Sequence, residues 1–300
     1  MKNLVWFRND LRLHDNPALS QACAKADQVV GIYIVTFKQW EEHNDSPNKI
    51  AFWFRSLIEL QKDLHKLNIP LCILKCDTYD DCPQKILEFA SANEINNLYF
   101  NIEYPVNELK RDEQVQAVLE KMGTSCFSFH DQVIHVPGTL KTKAGTNFSV
   151  YSPFKRCWLA ELDYALLEEH AVPTIKQPVS VNQQDEYDLH SYKQSNINQD
   201  LWPVGEESIQ KMIVNFLDRK GSDYKTDRNF PGLTATSMMS PYINSGVVSS
   251  KWCLNQARAR NYDALDEGDK GLVHWISEIL WREFYRHIIY NFPRVSMGKA

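Results

Sequence analysis

The chain has 300 residues, a formal net charge of -5 and 43% hydrophobic residues, which suits a globular protein large enough for two domains. Its apolar start, MKNLVWFRND, is broken at once by Arg8 and Asp10, too short a run for a leader or a membrane span, so a cytoplasmic protein is expected. The seven cysteines show no C-x-x-C pair and the nine histidines no H-E-x-x-H spacing, which argues against a metal site and for reduced thiols in apolar elements.

In chain order, the first element is a short buried-type strand at 3–7, then a polar loop and a helix opening at Asp15-Asn16-Pro17, with cap residues ahead of a first-turn proline. The alternation continues with strand 29–35, helix 48–67, strand 70–76, a helix opening at Pro83, strand 97–103, helix 105–121 and strand 125–135. Helix 48–67 carries Ile50, Trp53, Phe54, Leu57, Leu60, Leu64 and Leu67 at three- and four-residue steps, one apolar stripe to lie on a sheet. The pattern predicts a doubly wound, five-stranded parallel sheet over 1–135, an α/β domain with ligands expected at the carboxyl ends of its strands. The first strand-to-helix turn, FRNDLRLHDN, holds no glycine, and the first glycine is Gly31, which excludes both the G-x-G-x-x-G fingerprint and a phosphate loop there.

Residues 171–204 are rich in Pro, Gln, Asn and Ser, the texture of a surface connection, and 136–205 is expected to join two domains. Beyond it the periods are helical: 206–219 ending near Gly221, a helix from Ser240-Pro241, another after Ser249-Ser250, and a long one over 272–290. An all-α part over 206–300 follows. Residues 201–300 hold 13 Lys+Arg against 11 Asp+Glu, whereas 1–200 hold 20 against 27. A mildly basic last third permits a local phosphate-binding surface and falls short of a constitutive nucleic-acid binder.

The 272–290 helix, LVHWISEILWREFYRHIIY, has two unlike faces. At about 100° per residue, Trp275, Glu278, Arg282 and Tyr285 fall in one stripe, and Ile276, Leu280, Phe284 and Ile288 gather on the other side. Two aromatics, a carboxylate and a guanidinium suit a planar heteroaromatic ligand bearing phosphate. Pattern alone gives more weight to a Glu-Arg pair at four-residue spacing on a solvated face. Two further segments draw notice. Hydroxyls of TATSMMS (234–240) crowd the start of the helix opened by Pro241, near YKTDR (224–228), which suits either an anion or simple N-capping by Ser240. Asn101 to Glu108, at the carboxyl end of the fourth strand, stand where such sheets place ligands or serve as a solvated cap for the next helix.

The opening VWFRNDLRLHDNPAL, SVYSPFKRCW at 149–158, YKTDR with TATSMMSPYINSGVVS, and SEILWREFYRHII together resemble the DNA photolyase and cryptochrome family, in family order across nearly the whole chain. The likeness is strongest to class I photolyases of cyclobutane pyrimidine dimers. It implies an α/β antenna domain followed by the first part of a helical domain that holds FAD. On that resemblance Tyr224 and the run Thr236, Ser237, Met238, Met239 and Ser240 hold the FAD phosphates and ribityl chain, and Trp275 and Arg282 line the flavin cavity. Glu278 and Trp281 meet the extruded dimer, Arg228 and Tyr285 lie toward DNA, and Asn107 and Glu108 contact a folate (methenyltetrahydrofolate) antenna. Met297 stands where folate-type members often carry lysine.

The implied activity is a carbon-carbon lyase in which light-excited, reduced flavin donates an electron to the dimer, which splits and returns it. Damaged DNA is the expected partner of a monomer, with no membrane involved, and a dimer already poorly stacked is cheaper to flip out than normal bases. A cryptochrome-like photoreceptor without repair and an inactive remnant are the other two classes; Glu278 together with Trp281 leans toward repair. The family pattern continues past Ala300, so a truncated member is expected, one that lacks further flavin-facing residues.

Overall fold

The computed structural model describes residues 1–182, 186–193 and 195–297. Five parallel strands, β1 (Lys2–Phe7), β2 (Gln28–Thr36), β3 (Leu71–Cys76), β4 (Asn97–Asn101) and β5 (Ser125–Phe129), form one sheet in the order β3-β2-β1-β4-β5. The expected doubly wound sheet is therefore present, with its switch point between β1 and β4. Helices α1 (Pro17–Lys25), α2 (Phe37–Glu42), α3 (Pro47–Lys66), α4 (Cys82–Ala92) and α5 (Val106–Lys121) make the crossovers. The α1 cap forms as read: Asn16 Oδ1 accepts from the Leu19 amide at 3.1 Å, ahead of Pro17. Ser46 likewise caps α3.

Strand alternation sorts the core into two layers. Val5, Phe7, Val29, Tyr33, Val35, Leu71 and Ile73 face α1 and α3, whereas Leu4, Trp6, Val30, Ile32, Leu74, Leu98 and Phe100 face α4 and α5. The α3 stripe is buried from Ile50 to Leu64, each large side chain contributing roughly 1.5–3 kcal/mol. Leu67 of that stripe is the residue just past the helix and packs against the same layer.

Strand β5 ends at Phe129, six residues before the expected bound. Its pairing with β4 stops at Asn101, and the polar groups of the next residues turn to a distant helix: the Gln132 carbonyl accepts from Arg282, and the His135 amide donates to Glu283. Ladder bonds are replaced by side-chain bonds, so the strand stops there.

The connecting stretch contains α6 (Tyr151–Ala160), which the composition did not suggest. Farther on it is fastened to the sheet's margins, since the Lys176, Gln177 and Tyr187 amides donate to the carbonyls of Leu67, Asp27 and Ile73. Residues 183–185 and 194 of the expected connection, and 298–300 of the chain's last segment, lie outside the described residues. The helical part follows as α7 (Glu206–Lys220), α8 (Tyr224–Asp227), α9 (Ser240–Ser245), α10 (Ser250–Arg260) and α11 (Lys270–Asn291), then a 3-10 turn at Pro293–Met297. It shares the α1/α3 core layer. Two glycines permit close approach: a Cβ on Gly246, at φ +69°, would lie 2.1 Å from the Asn9 carbonyl oxygen, and one on Gly271 2.1 Å from that of Ser222. No helix among the described residues is long and apolar enough to cross a membrane.

Candidate functional site

The switch-point crevice, where an open α/β sheet commonly takes a ligand, is filled by the protein's own polar groups. Asn101 Nδ2 donates to Asp10 Oδ2 at 2.6 Å and to Asn16 Oδ1 at 2.8 Å. Arg8 pairs with Asp112 at 3.1 Å and Arg111 with Glu103 at 2.8 Å, all four buried. Burial opposes the charge on Glu103, but Arg111 and Arg8 outweigh it and hold its carboxyl below the usual range. This end of the sheet is a closed ionic core.

An open cleft lies instead along α11. It has a volume of about 650 Å³ and is lined by Tyr224, Ser237, Met239, Ser240, Pro241, Ile243, Asn244, Trp275, Glu278, Ile279, Arg282, Tyr285, Arg286 and Ile289. Helical geometry explains the set: residues 275, 278, 282 and 285 share a face, and the opposite one buries Ile276, Leu280 and Phe284. Asp269 caps the helix through the Gly271 and Leu272 amides, at 2.8 and 3.0 Å. Trp275, 2% exposed, donates from Nε1 to Ser237 Oγ at 3.2 Å and so ties the hydroxyl-rich segment to the cleft wall.

Charge is divided across the cleft. Arg282 donates to the carbonyls of Gln132 (2.7 Å) and Ile243 (3.4 Å), and Arg286 to Asn244 Oδ1 (3.2 Å). Neither has a carboxylate within salt-bridge distance among the described residues. Burial, then Arg286, lowers the Arg282 guanidinium to about 9, and burial lowers Arg286. Both stay charged at neutral pH, so this side of the cleft favours an anion. At the other rim Glu278 pairs with Arg228 and lies 3.6 Å from His274 Nε2. Burial lowers His274, and Arg228, Lys225 and Lys155 lower it further, which marks a cationic rim with Glu278 in its midst.

The expected site residues divide between cleft and surroundings. Tyr224, Ser237, Met239, Ser240, Trp275, Glu278, Arg282 and Tyr285 come together in it. Thr236 and Met238 do not: both are exposed, Met238 in left-handed backbone at φ 54°. Ser240 is the first residue of α9 rather than its cap; Met239 holds the cap position and makes no side-chain bond. Trp281 stands beside the cleft, stacked on Tyr151 with ring centres 3.7 Å apart and planes 14° from parallel, and next to Tyr285. The Tyr151 hydroxyl is fixed by Ser277 Oγ at 2.6 Å. Asn107 and Glu108 occupy a separate corner at the first turn of α5, where Ser296 of the last 3-10 turn accepts from the Val106 amide at 3.4 Å. Burial, then Glu103, raises the Glu108 carboxyl.

Sequence reasoning missed Arg286, Asn244 and Tyr151. Arg286 was recoverable from periodicity, four residues after Arg282 on the same face; Asn244 and Tyr151 carry no sequence signal of their own, because tertiary packing brings them in.

A family model described as DNA photolyase matches residues 3–177. The deoxyribodipyrimidine photo-lyase of Buchnera aphidicola subsp. Acyrthosiphon pisum is 34% identical over 304 residues, covering 100% of this chain and 62% of that protein. A class III photolyase from Agrobacterium tumefaciens superposes with a TM-score of 0.82 at 25% identity, covering 98% of this chain and 60% of that one. A photolyase from Sulfolobus tokodaii, solved with two FAD molecules, gives 0.76 at 20% identity, over 98% and 61%. The chain thus spans about three fifths of the length of these relatives. Matching over more than half its residues, and with the sheet and the α11 cleft in place, it belongs to the DNA photolyase family.

Proposed function

We propose that this chain carries out the FAD-dependent, light-driven splitting of cyclobutane pyrimidine dimers in DNA as a monomeric cytoplasmic lyase. The observation that carries the reading is the α11 cleft, where two guanidinium groups without carboxylate partners among the described residues face an aromatic and hydroxyl-bearing wall. Those donors fit a flavin dinucleotide: Arg282 and Arg286 match diphosphate oxygens, Ser237 and Ser240 supply hydroxyls, and Trp275 and Tyr224 supply ring surface. Thr236 and Met238 frame the same segment from outside. Bound in its fully reduced form, FAD would supply light-driven donation of one electron to the dimer and take it back after cleavage.

The chain's own residues hold and select. Glu278 accepts hydrogen bonds from the pyrimidine N–H groups, and Trp281, backed by Tyr151, offers a stacking surface to the flipped dimer. Arg228, with Lys155 and Lys225 near it, binds DNA phosphate, and Tyr285 packs at the same rim. Asn107 and Glu108, at the carboxyl end of β4, form the contact for a folate antenna, with exposed Met297 where folate-type members often carry lysine.

The test is the visible absorption spectrum of the purified protein before and after denaturation, followed by blue-light repair of irradiated oligonucleotides. Stoichiometric FAD together with light-dependent loss of dimers is expected. Flavin that cycles with light while dimers persist would favour a photoreceptor, and a folded protein without flavin would overturn the reading.

A further inference from the structure

Seven cysteines with no C-x-x-C spacing read as isolated thiols, and five of them are. Burial pushes Cys23 up to about 11 and Cys72 and Cys126 to about 12, and it also raises Cys157 and Cys253. The remaining two meet across the β3–α4 turn. Cys76 ends β3 and is half-buried, Cys82 opens α4 and is buried, and their sulfurs lie 3.6 Å apart.

The turn between them is held tightly. Asp81 accepts from the Thr78 amide at 2.8 Å and from its hydroxyl at 3.0 Å, and both thiols are directed at the Thr78 carbonyl, at 3.4 and 3.7 Å. The hydrogen-bond contact between the two sulfurs lowers Cys82 below the usual thiol range against its burial; Arg111 assists, as does its place in the first turn of an 11-residue helix. The same bond and burial raise Cys76. The two sulfurs thus form one interacting pair, of which Cys76 is the less buried.

We propose that Cys76 and Cys82 are a reversible dithiol–disulfide modification site, oxidised by hydroperoxides. As hydrogen peroxide reaches the half-buried Cys76, Cys82 draws off its proton, the Cys76 thiolate takes one oxygen to become a sulfenic acid, and the released hydroxide takes that proton back as one water. The Cys82 thiolate then attacks that sulfur, the S–S bond forms, and the departing hydroxide takes up a proton as the second water. Two thiols lose two electrons and two hydrogens, and the peroxide is reduced to two waters. Closing the sulfurs from 3.6 Å to about 2.05 Å needs a small shift within the seven-residue segment 76–82.

The sequence supplies a direct readout. Trypsin cleaves after Lys75 and Lys85, so both sulfurs leave in one peptide, Cys76–Lys85. Reduced full-length protein is treated with hydrogen peroxide, alkylated and digested without reductant. The expected peptide is unalkylated and two hydrogens lighter, becomes doubly alkylated after thiol reduction, and forms at a rate that levels off at lower pH than oxidation of the other five thiols. Two copies joined between chains, an irreversible sulfinic acid at Cys76, or a doubly alkylated peptide after peroxide would each overturn the assignment. Cys76→Ser, at a half-exposed position that leaves the core intact, should slow oxidation of Cys82 to the rate of buried Cys253. An unchanged Cys82 rate in that variant would equally refute the pairing.

Discussion

Arg282 and Glu278 sit one helical turn apart on α11 and differ in what they lack. Glu278 has its countercharge in Arg228, but both side chains are about a third exposed, and water screens such a pair to at most about 1 kcal/mol. Glu278→Gln should therefore leave unfolding free energy within about 1 kcal/mol of wild type in a urea titration. The same change should lower light-driven dimer splitting by about tenfold or more, because it removes a charged acceptor whose hydrogen bond is worth roughly 1.5–3 kcal/mol. Equal losses of stability and activity would sink the assignment. Arg282 has two carbonyl acceptors and, among the described residues, no carboxylate within salt-bridge distance. Arg282→Met should weaken FAD retention by about tenfold or more on the same scale, measured by equilibrium dialysis, and retention at the wild-type level would remove its phosphate role.

At the scale of elements, the short helix α9 ends on Gly246, whose left-handed backbone turns the chain toward α10 and whose missing side chain admits the β1–α1 loop. Arg12 Nη1 donates to the Gly246 carbonyl at 3.2 Å from that loop. Gly246→Ala combines a strained φ with a backbone collision, so a loss of about 2 kcal/mol or more is expected from thermal denaturation. A variant as stable as wild type would mean the loop can withdraw. Elements of this kind decide how much was legible beforehand. The first three strands and α3 match the sequence closely because period and caps agree, whereas β4 and β5 stop short of their expected bounds. Helix α6 was not: Val150 provides no cap bond, and Pro153 in the first turn resembles a breaker although it needs no N–H there. The cleft was half legible. The α11 face could be drawn from spacing, yet which hydroxyls of 236–240 turn inward depends on the backbone at Met238, and the shelf under Trp281 comes from a residue 130 positions away.

For the molecule as a whole, the helical part and the sheet meet through a carboxylate that pH can address. Glu206, at the start of α7, accepts from the Leu13 amide at 2.8 Å and the His14 amide at 3.2 Å, both in the loop after β1. Burial raises its carboxyl to about 7, against the opposing pull of those two amides and Arg12. A carboxyl raised on folding binds its proton more tightly in the native chain than in the unfolded one. Its contribution is therefore full below the ordinary value near 4.5 and is lost as pH rises to about 7. Buried His287, lowered to about 4 by desolvation, works in the opposite direction over an overlapping range, so the total stability curve does not isolate either group. The difference between wild type and Glu206→Gln does. That difference should fall by roughly 2–3 kcal/mol in favour of the glutamine variant between pH 4.5 and 7 and stay level above it, in urea titrations at several pH values. A difference independent of pH would mean that Glu206 is ionised throughout. The two amides would then suffice to hold the charge, and the junction between sheet and helices would be insensitive to protons.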